Sequence, residues 1–177
     1  MYICRPGSDK TFRRLTMNKI KAFLERKNIE ISLQRYGVDA MSAMAQGLFC
    51  TLLVGTILNT LGTQLHIAWL TKAIITVGST AYTIGGLASA MVGPAMAVAI
   101  GYALKAPGMV LFTLVPVGYA TNILGGAGGP FAVYVVAILA AEAGKAVSKE
   151  TKIDILVTPL TTLLSGILIA WLIAAPI

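Results

Sequence analysis

Charged residues divide the hydrophobic part of the chain into four long uncharged stretches. These cover residues 40–71, 73–104, 106–141 and 155–177, and the first three are longer than the roughly 20 residues that a helix needs to cross a bilayer. Glycine or proline occurs inside every stretch. Because irregular backbone at membrane depth must be buried in protein or line a cavity, the pattern predicts an all-α polytopic membrane protein with about five membrane segments, some of them broken or re-entrant.

The chain before the first stretch follows a different pattern. Residues 1–16 show no period, and we expect them to be a disordered basic extension. In residues 17–36, apolar positions such as Ile20 and Phe23 recur on one helical face, which predicts an amphipathic helix lying at the bilayer surface. A solvated helix packed on loops is the alternative interpretation. The membrane domain would then cover residues 37–177.

Composition and charge agree with a membrane location. Hydrophobic residues make up 56% of the chain and charged residues 12%, with a mean hydropathy of +0.80, which excludes a soluble enzyme. Most of the net charge of +7 comes from residues 1–35, which contain nine basic and three acidic residues. This excess predicts a cytoplasmic N-terminus and attraction to lipid headgroups, and we expect no nucleic-acid partner.

Two apolar runs begin alike and end in opposite charges. A Gly-Pro step at residues 93–94 opens a run that reaches Lys105, and another at residues 129–130 opens a run that reaches Glu142. The charge pattern brings both ends to the cytoplasmic side, so the two side chains are expected at similar depth. We hypothesise that they form an ion pair beside the mouth of a solute path, and the alternative is that each extends separately to the headgroups.

Polar residues and glycines inside the apolar stretches are candidates for solute binding. The glycine-rich segment 125–129 is either a buried helix break with free amide groups or a tight surface turn, and Asn59 and Gln64 either contact a solute or bridge helices. No cluster has the spacing of metal ligands, and no nucleophile has a base beside it, so no catalytic residue, metal or cofactor is predicted. The candidate substrate-binding residues are Asn59, Gln64, Lys105, Asn122, Gly125, Gly126, Gly128, Gly129 and Glu142.

Several segments also resemble a known family. The stretches KNIEISLQRYGVDAMSAMAQGLF, GTILNTLGTQL, GPAMAVAIGYALKAP, GGAGGPFAVYVVAILAAEAGK and VSKETKIDILVTPLTTLLSGILIA are similar to the N-terminal half of the IIC-like membrane proteins of the phosphotransferase system. The resemblance covers about residues 17–177, and SKETKIDILVTP is its most distinctive part. The branch it resembles includes a clostridial protein regarded as a regulator of toxin expression.

The resemblance implies a multi-pass protein of the bacterial cytoplasmic membrane that binds and translocates a small polar solute, a sugar. Phosphoryl transfer would fall to IIA- and IIB-type partners. Members of the family are about twice as long, so we expect this chain to be one half of a longer domain or to form a homo-oligomer. A membrane regulator without transport activity and a truncated, inactive half are the alternatives.

Overall fold

The computed structural model describes residues 21–26, 29, 32–148 and 154–174. The predicted extension over residues 1–16 lies outside this part of the chain. Residues 21–26 are helical, and they fall within the segment that was predicted to be amphipathic.

A single long helix, α1, extends from Gln34 to Gln64. It begins three residues before the predicted start of the membrane domain at residue 37. Two parts of it, Gln34–Asp39 and Phe49–Leu53, have the wider turns of a π-helix, and regular α-helix forms the rest. Its apolar composition and 31-residue length are sufficient to cross a membrane.

A short connecting segment that contains no membrane-spanning helix follows α1. Helix α2 is a single turn, Ala68–Thr71, and strands β1 (Ile75–Val77) and β2 (Thr80–Tyr82) form an antiparallel hairpin. Gly78, with a φ of 62°, provides the left-handed backbone conformation of its turn. This hairpin was not predicted, because two strands of three residues are too short to give a period of two within an uncharged stretch.

The next span is broken. Helix α3 (Ile84–Ala90) and helix α4 (Val92–Ala103) follow one another with a bend of 50°. Thr83 caps α3 by accepting a 3.0 Å hydrogen bond from the Gly86 amide. Pro94 lies in the first turn of α4, where a proline is tolerated because the first amides of a helix have no partner within it. The prediction of broken helices is therefore confirmed at this bend.

The rest of the chain is a helical hairpin and a final helix. Helix α5 (Gly108–Leu124) is joined to α6 (Gly129–Val147) through a 3-10 turn, Gly126–Gly128, so the two helices run antiparallel. Helix α6 begins at the predicted Gly-Pro step. Helix α7 is Asp154–Ala174.

The fold class predicted from the pattern is confirmed, and the number of spans stays a prediction. In the described chain, three helices are long and apolar enough to cross a membrane, and the bent pair α3 and α4 would make a fourth. Helix α5 is apolar but only 17 residues long, shorter than an ordinary crossing. The structure is therefore an all-α polytopic membrane protein, whereas the predicted total of about five segments depends on α5.

Helix α4 forms the centre of the bundle. It packs against α1, α5 and α6, and its side chains Met96, Ile100 and Leu104 are completely buried. Helices α1 and α7, in contrast, leave large apolar side chains such as Phe49 and Trp171 exposed, as helices that face lipid do.

Two glycines let the backbones of α4 and α5 approach each other closely. A Cβ atom added to Gly118 would lie 2.6 Å from the Cβ of Ala97 and 2.6 Å from the carbonyl oxygen of Gly93. A Cβ on Gly93 would in turn collide with the Gly118 carbonyl. Small residues allow such close packing, which stabilises helix pairs in membranes where the hydrophobic effect between helices is absent.

We expect the substitution Gly118→Ala to lower the thermal stability of the purified protein. The added methyl group has no room against α4, and overpacking of this kind costs about 1–3 kcal/mol. The matched control is Gly108→Ala, because a Cβ there would meet no atom within 4 Å. Equal melting temperatures for the two variants in the same detergent would contradict the importance of this contact.

Candidate functional site

Buried charges gather at one end of the bundle, where α6 ends. Only 2% of the Lys145 side chain is exposed, and its Nζ lies 2.7 Å from Oε1 of Glu142, one turn earlier on the same helix. Nζ also donates a 3.1 Å hydrogen bond to the carbonyl oxygen of Leu104. An isolated ammonium group in apolar surroundings is costly, and these two contacts compensate the Lys145 charge.

The Leu104 carbonyl accepts a second cation. Nη2 of Arg35, a buried residue at the start of α1, donates a 2.9 Å hydrogen bond to the same oxygen. Leu104 is the C-cap of α4. Its carbonyl accepts no backbone amide of the described residues and lies at the negative end of the helix dipole, so it is a favourable place for positive charge. The start of α1 and the ends of α4 and α6 therefore meet at one point.

Two tyrosines join α1 and α6 at the same level. The Tyr36 hydroxyl donates a 3.0 Å hydrogen bond to Oε1 of Glu142, and the Tyr134 hydroxyl donates a 2.5 Å hydrogen bond to the Tyr36 carbonyl. Oε1 thus interacts with both a phenol and an ammonium group, which orients the carboxylate.

Oε2, the second carboxylate oxygen of Glu142, differs from Oε1 in its hydrogen bonding. Among the described residues, Oε2 of Glu142 is buried without a hydrogen-bond partner, although 17% of the side chain remains exposed. Buried polar atoms are nearly always paired, so an unpaired carboxylate oxygen calls for an explanation. It can accept a hydrogen bond from a hydroxyl or amide group of a ligand. No group of three or more potential metal ligands of the His, Cys, Asp or Glu type occurs in the described chain.

The glycine-rich segment lies at the opposite end of α6. Gly125 and Gly129 are buried, Gly128 is half-buried, and Gly126 is exposed with a φ of 48°. A Cβ on Gly129 would lie 2.6 Å from Oδ1 of Asn122, so the asparagine packs directly on the turn. The prediction of a buried helix break therefore applies to Gly125 and Gly129, whereas Gly126 lies in an exposed turn.

Asn59 and Gln64 lie on the second half of α1. Oδ1 of Asn59 accepts a 3.1 Å hydrogen bond from the hydroxyl of Thr83, the residue that caps α3. Asn59 therefore bridges two helices, in agreement with the structural alternative. Gln64 is exposed at the last turn of α1, and its proposed contact with a solute stays a prediction.

The structure does not bring all the candidate residues together. Gly129 and Glu142 are thirteen positions apart on α6, a distance of about 20 Å along a helix. Asn122 and the glycine turn form one group, and Lys105 and Glu142 belong to the end that contains the buried charges.

The hypothesis of a Lys105–Glu142 ion pair is wrong. Glu142 pairs with Lys145, and Lys105 is exposed and makes no ion pair with any described residue. The prediction of similar depth is supported, because Lys145 binds the carbonyl of Leu104, which directly precedes Lys105. Lys145 is the partner because it lies on the same helix as Glu142 and one turn away, whereas Lys105 follows the end of α4.

Four members of the charged cluster were missing from the sequence-based candidates: Arg35, Tyr36, Tyr134 and Lys145. The first two had been assigned to a surface helix, and Lys145 had served only as a marker of the cytoplasmic side. The Glu-x-x-Lys spacing in an apolar helix was the signal that could have identified the pair. The two aromatic residues gave no comparable signal.

Gln46 was also missed. It lies near the middle of α1, seven residues or about 10 Å beyond the exposed Asp39, and its amide is exposed. Its side-chain amide forms no hydrogen bond with another described residue, and Ser42, one turn earlier, is exposed as well. Lipid cannot satisfy an amide at this depth, so the face needs water, a solute or another protein surface. The signal that could have identified Gln46 was a polar amide inside the uncharged stretch 40–71.

We expect Lys145→Met to destabilise the protein by about 3–5 kcal/mol, because it leaves the Glu142 carboxylate buried without its cation. The double variant Glu142→Gln/Lys145→Met should recover part of this loss, with a coupling of about 1 kcal/mol or more in a double-mutant cycle. Thermal or chemical unfolding in detergent measures both quantities.

The control cycle combines Glu142→Gln with Lys105→Gln. Since these two side chains make no contact in the structure, their effects should add. A larger coupling for Lys105 than for Lys145 would contradict the assignment of the ion pair.

Comparison with known proteins agrees with this architecture. The chain matches the family described as Phosphotransferase system, EIIC, over residues 38–177, more than three quarters of its length. The match begins within α1 and includes Glu142 and Lys145. No curated protein and no solved structure matches the chain. The resemblance to IIC-like proteins is confirmed, while the relation to the clostridial regulator stays a prediction. The chain therefore belongs to the EIIC family of phosphotransferase-system membrane components.

Proposed function

We propose that this EIIC-family protein binds a small polyhydroxylated solute, a sugar, and translocates it across the bacterial cytoplasmic membrane. The observation that carries the proposal is Oε2 of Glu142, which is buried at the junction of α1, α4 and α6 without a hydrogen-bond partner among the described residues. IIA- and IIB-type partners would carry out the phosphoryl transfer.

The chemistry of Glu142 suits a sugar hydroxyl. Lys145 and Tyr36 both bind Oε1, so the carboxylate is held in one orientation with Oε2 left to accept hydrogen bonds. A hydrogen bond to a charged acceptor contributes about 1.5–3 kcal/mol, more than one between neutral groups. A hydroxyl-rich solute can supply the donor without a charge of its own.

A broken helix and a polar face support movement of a solute through the bundle. Pro94 has no amide hydrogen to donate to the Ala90 carbonyl four residues earlier, so the bend between α3 and α4 leaves polar backbone at membrane depth. Transporters place solute sites at such breaks. The exposed Ser42 and Gln46 of α1 would provide further hydrogen-bonding groups along a polar path.

At the opposite end of the bundle, Asn122 is a candidate for an earlier contact with the solute. Its amide is half-buried beside the glycine turn and forms no hydrogen bond to another described residue. We place this end outside the cell and the end with Arg35 and Lys145 in the cytoplasm, because basic residues are concentrated before α1. Gln64, which is exposed near the end of α1, would also face outward.

The test is sugar uptake by a bacterial strain that lacks its own transporters for the sugars in the panel and contains IIA- and IIB-type partners. We expect Glu142→Gln to reduce uptake about tenfold or more, because the amide gives a weaker hydrogen bond and weakens the Lys145 ion pair. Asp39→Asn is the matched control, since it makes the same carboxylate-to-amide change at an exposed position of α1 and should leave uptake unchanged.

Two results would contradict the proposal. If folded protein reaches the membrane but no sugar accumulates above the empty-vector level, a regulator or an inactive half becomes the better interpretation. If Glu142→Gln transports as well as the wild type, Glu142 does not contact the solute.

A further inference from the structure

Lys105 has an unusual backbone conformation. It follows the end of α4 with a φ of 54°, a left-handed conformation in which glycine is the usual residue. The turn is held by 2.9 Å hydrogen bonds from the Lys105 amide to the Tyr102 carbonyl and from the Ala106 amide to the Gly101 carbonyl. A lysine in this conformation is strained relative to glycine, so its side chain is the feature to be explained.

A cavity of about 500 Å³ opens beside this turn. Its lining residues are Tyr102, Ala103, Lys105, Ala106 and Leu111. The walls are mostly apolar, and Lys105 is the one charged residue among the described residues that line the cavity. Lys105 makes no ion pair with any residue in the described ranges, and Tyr102 is 77% exposed.

The cavity lies at the level where lipid headgroups are expected. Leu104, next to Lys105, binds Arg35 and Lys145 at the end of the bundle, and the exposed Asp39 lies only four residues beyond Arg35 on α1. Charged residues at helix ends and an exposed tyrosine are typical of the boundary between hydrocarbon and headgroups. The cavity therefore faces the edge of the bilayer.

We propose that this pocket binds one anionic phospholipid. The Lys105 ammonium contacts the headgroup phosphate, and the start of an acyl chain occupies the apolar wall formed by Ala106 and Leu111. Charge complementarity favours an anionic headgroup, and basic pockets near helix ends bind such lipids. A free phosphate ion would leave the apolar wall unoccupied, so the lipid is the better fit.

The experiment compares the wild type with Lys105→Gly, Lys105→Gln and Lys72→Gln in phosphatidylcholine nanodiscs with or without one fifth phosphatidylglycerol. Phosphatidylglycerol should raise the melting temperature of the wild type by about 4 °C or more. This increase should disappear in both Lys105 variants. Lys72→Gln removes the same charge from an exposed position between α2 and β1 and should retain the increase.

The glycine variant separates a lost ligand from a damaged fold. In phosphatidylcholine alone, Lys105→Gly should melt at or above the wild-type temperature, because glycine adopts the left-handed conformation without strain. Native mass spectrometry should also show one retained phosphatidylglycerol on the wild type and at least a tenfold lower fraction of bound lipid on Lys105→Gly.

Four results would overturn the proposal. In the first, Lys105→Gly or Lys105→Gln keeps the phosphatidylglycerol effect. In the second, Lys72→Gln loses it equally, which would indicate general surface charge. In the third, glycerol phosphate or inorganic phosphate stabilises the wild type in phosphatidylcholine by the same amount, which would indicate a site for free anions. In the fourth, phosphatidylglycerol does not stabilise the wild type.

Discussion

The carbonyl oxygen of Leu104 accepts hydrogen bonds from two buried cations, Arg35 of α1 and Lys145 of α6. Neither cation would be tolerated in an apolar interior without such an acceptor, and the end of α4 provides one because the Leu104 carbonyl accepts no backbone amide of the described residues. The requirement to compensate these charges fixes three helix ends relative to one another. Since α4 is also the centre of the apolar core, the position of the charged cluster and the packing of the bundle depend on each other.

The same constraint determines the state of Glu142. Its Oε1 compensates Lys145 and receives the Tyr36 hydroxyl, so the carboxylate cannot turn freely to pair Oε2 as well. The arrangement combines contacts from three helices with one carboxylate oxygen that has no hydrogen-bond partner among the described residues.

Positions along the chain could be predicted from the sequence, but contacts across the bundle could not. The Gly-Pro steps located the starts of α4 and α6, because proline has a specific effect on local backbone. Charge placed Lys105 and Glu142 at similar depth. Which cation pairs with Glu142 depends on the rotation of each helix about its axis, and apolar runs without a clear polar face give no information about it. Arg35 was misassigned for the same reason, since it is buried within the bundle, where it binds the Leu104 carbonyl.

The wider turns in the middle of α1 let one helix serve two partners. Gly47 packs on Ala95 and Met96 of α4, and Gly55 packs on Gly85 and Ser89 of α3. Gly55 lies eight residues after Gly47. In a regular α-helix, eight residues rotate about 80° more than two full turns, so the two glycines would point in different directions. The π-helical stretch Phe49–Leu53 lies between them and rotates less per residue, so it reduces this extra rotation. Gly47 and Gly55 can therefore face the two halves of the pair that is bent by 50°. A change of that bend would move at least one half of the pair away from its glycine on α1.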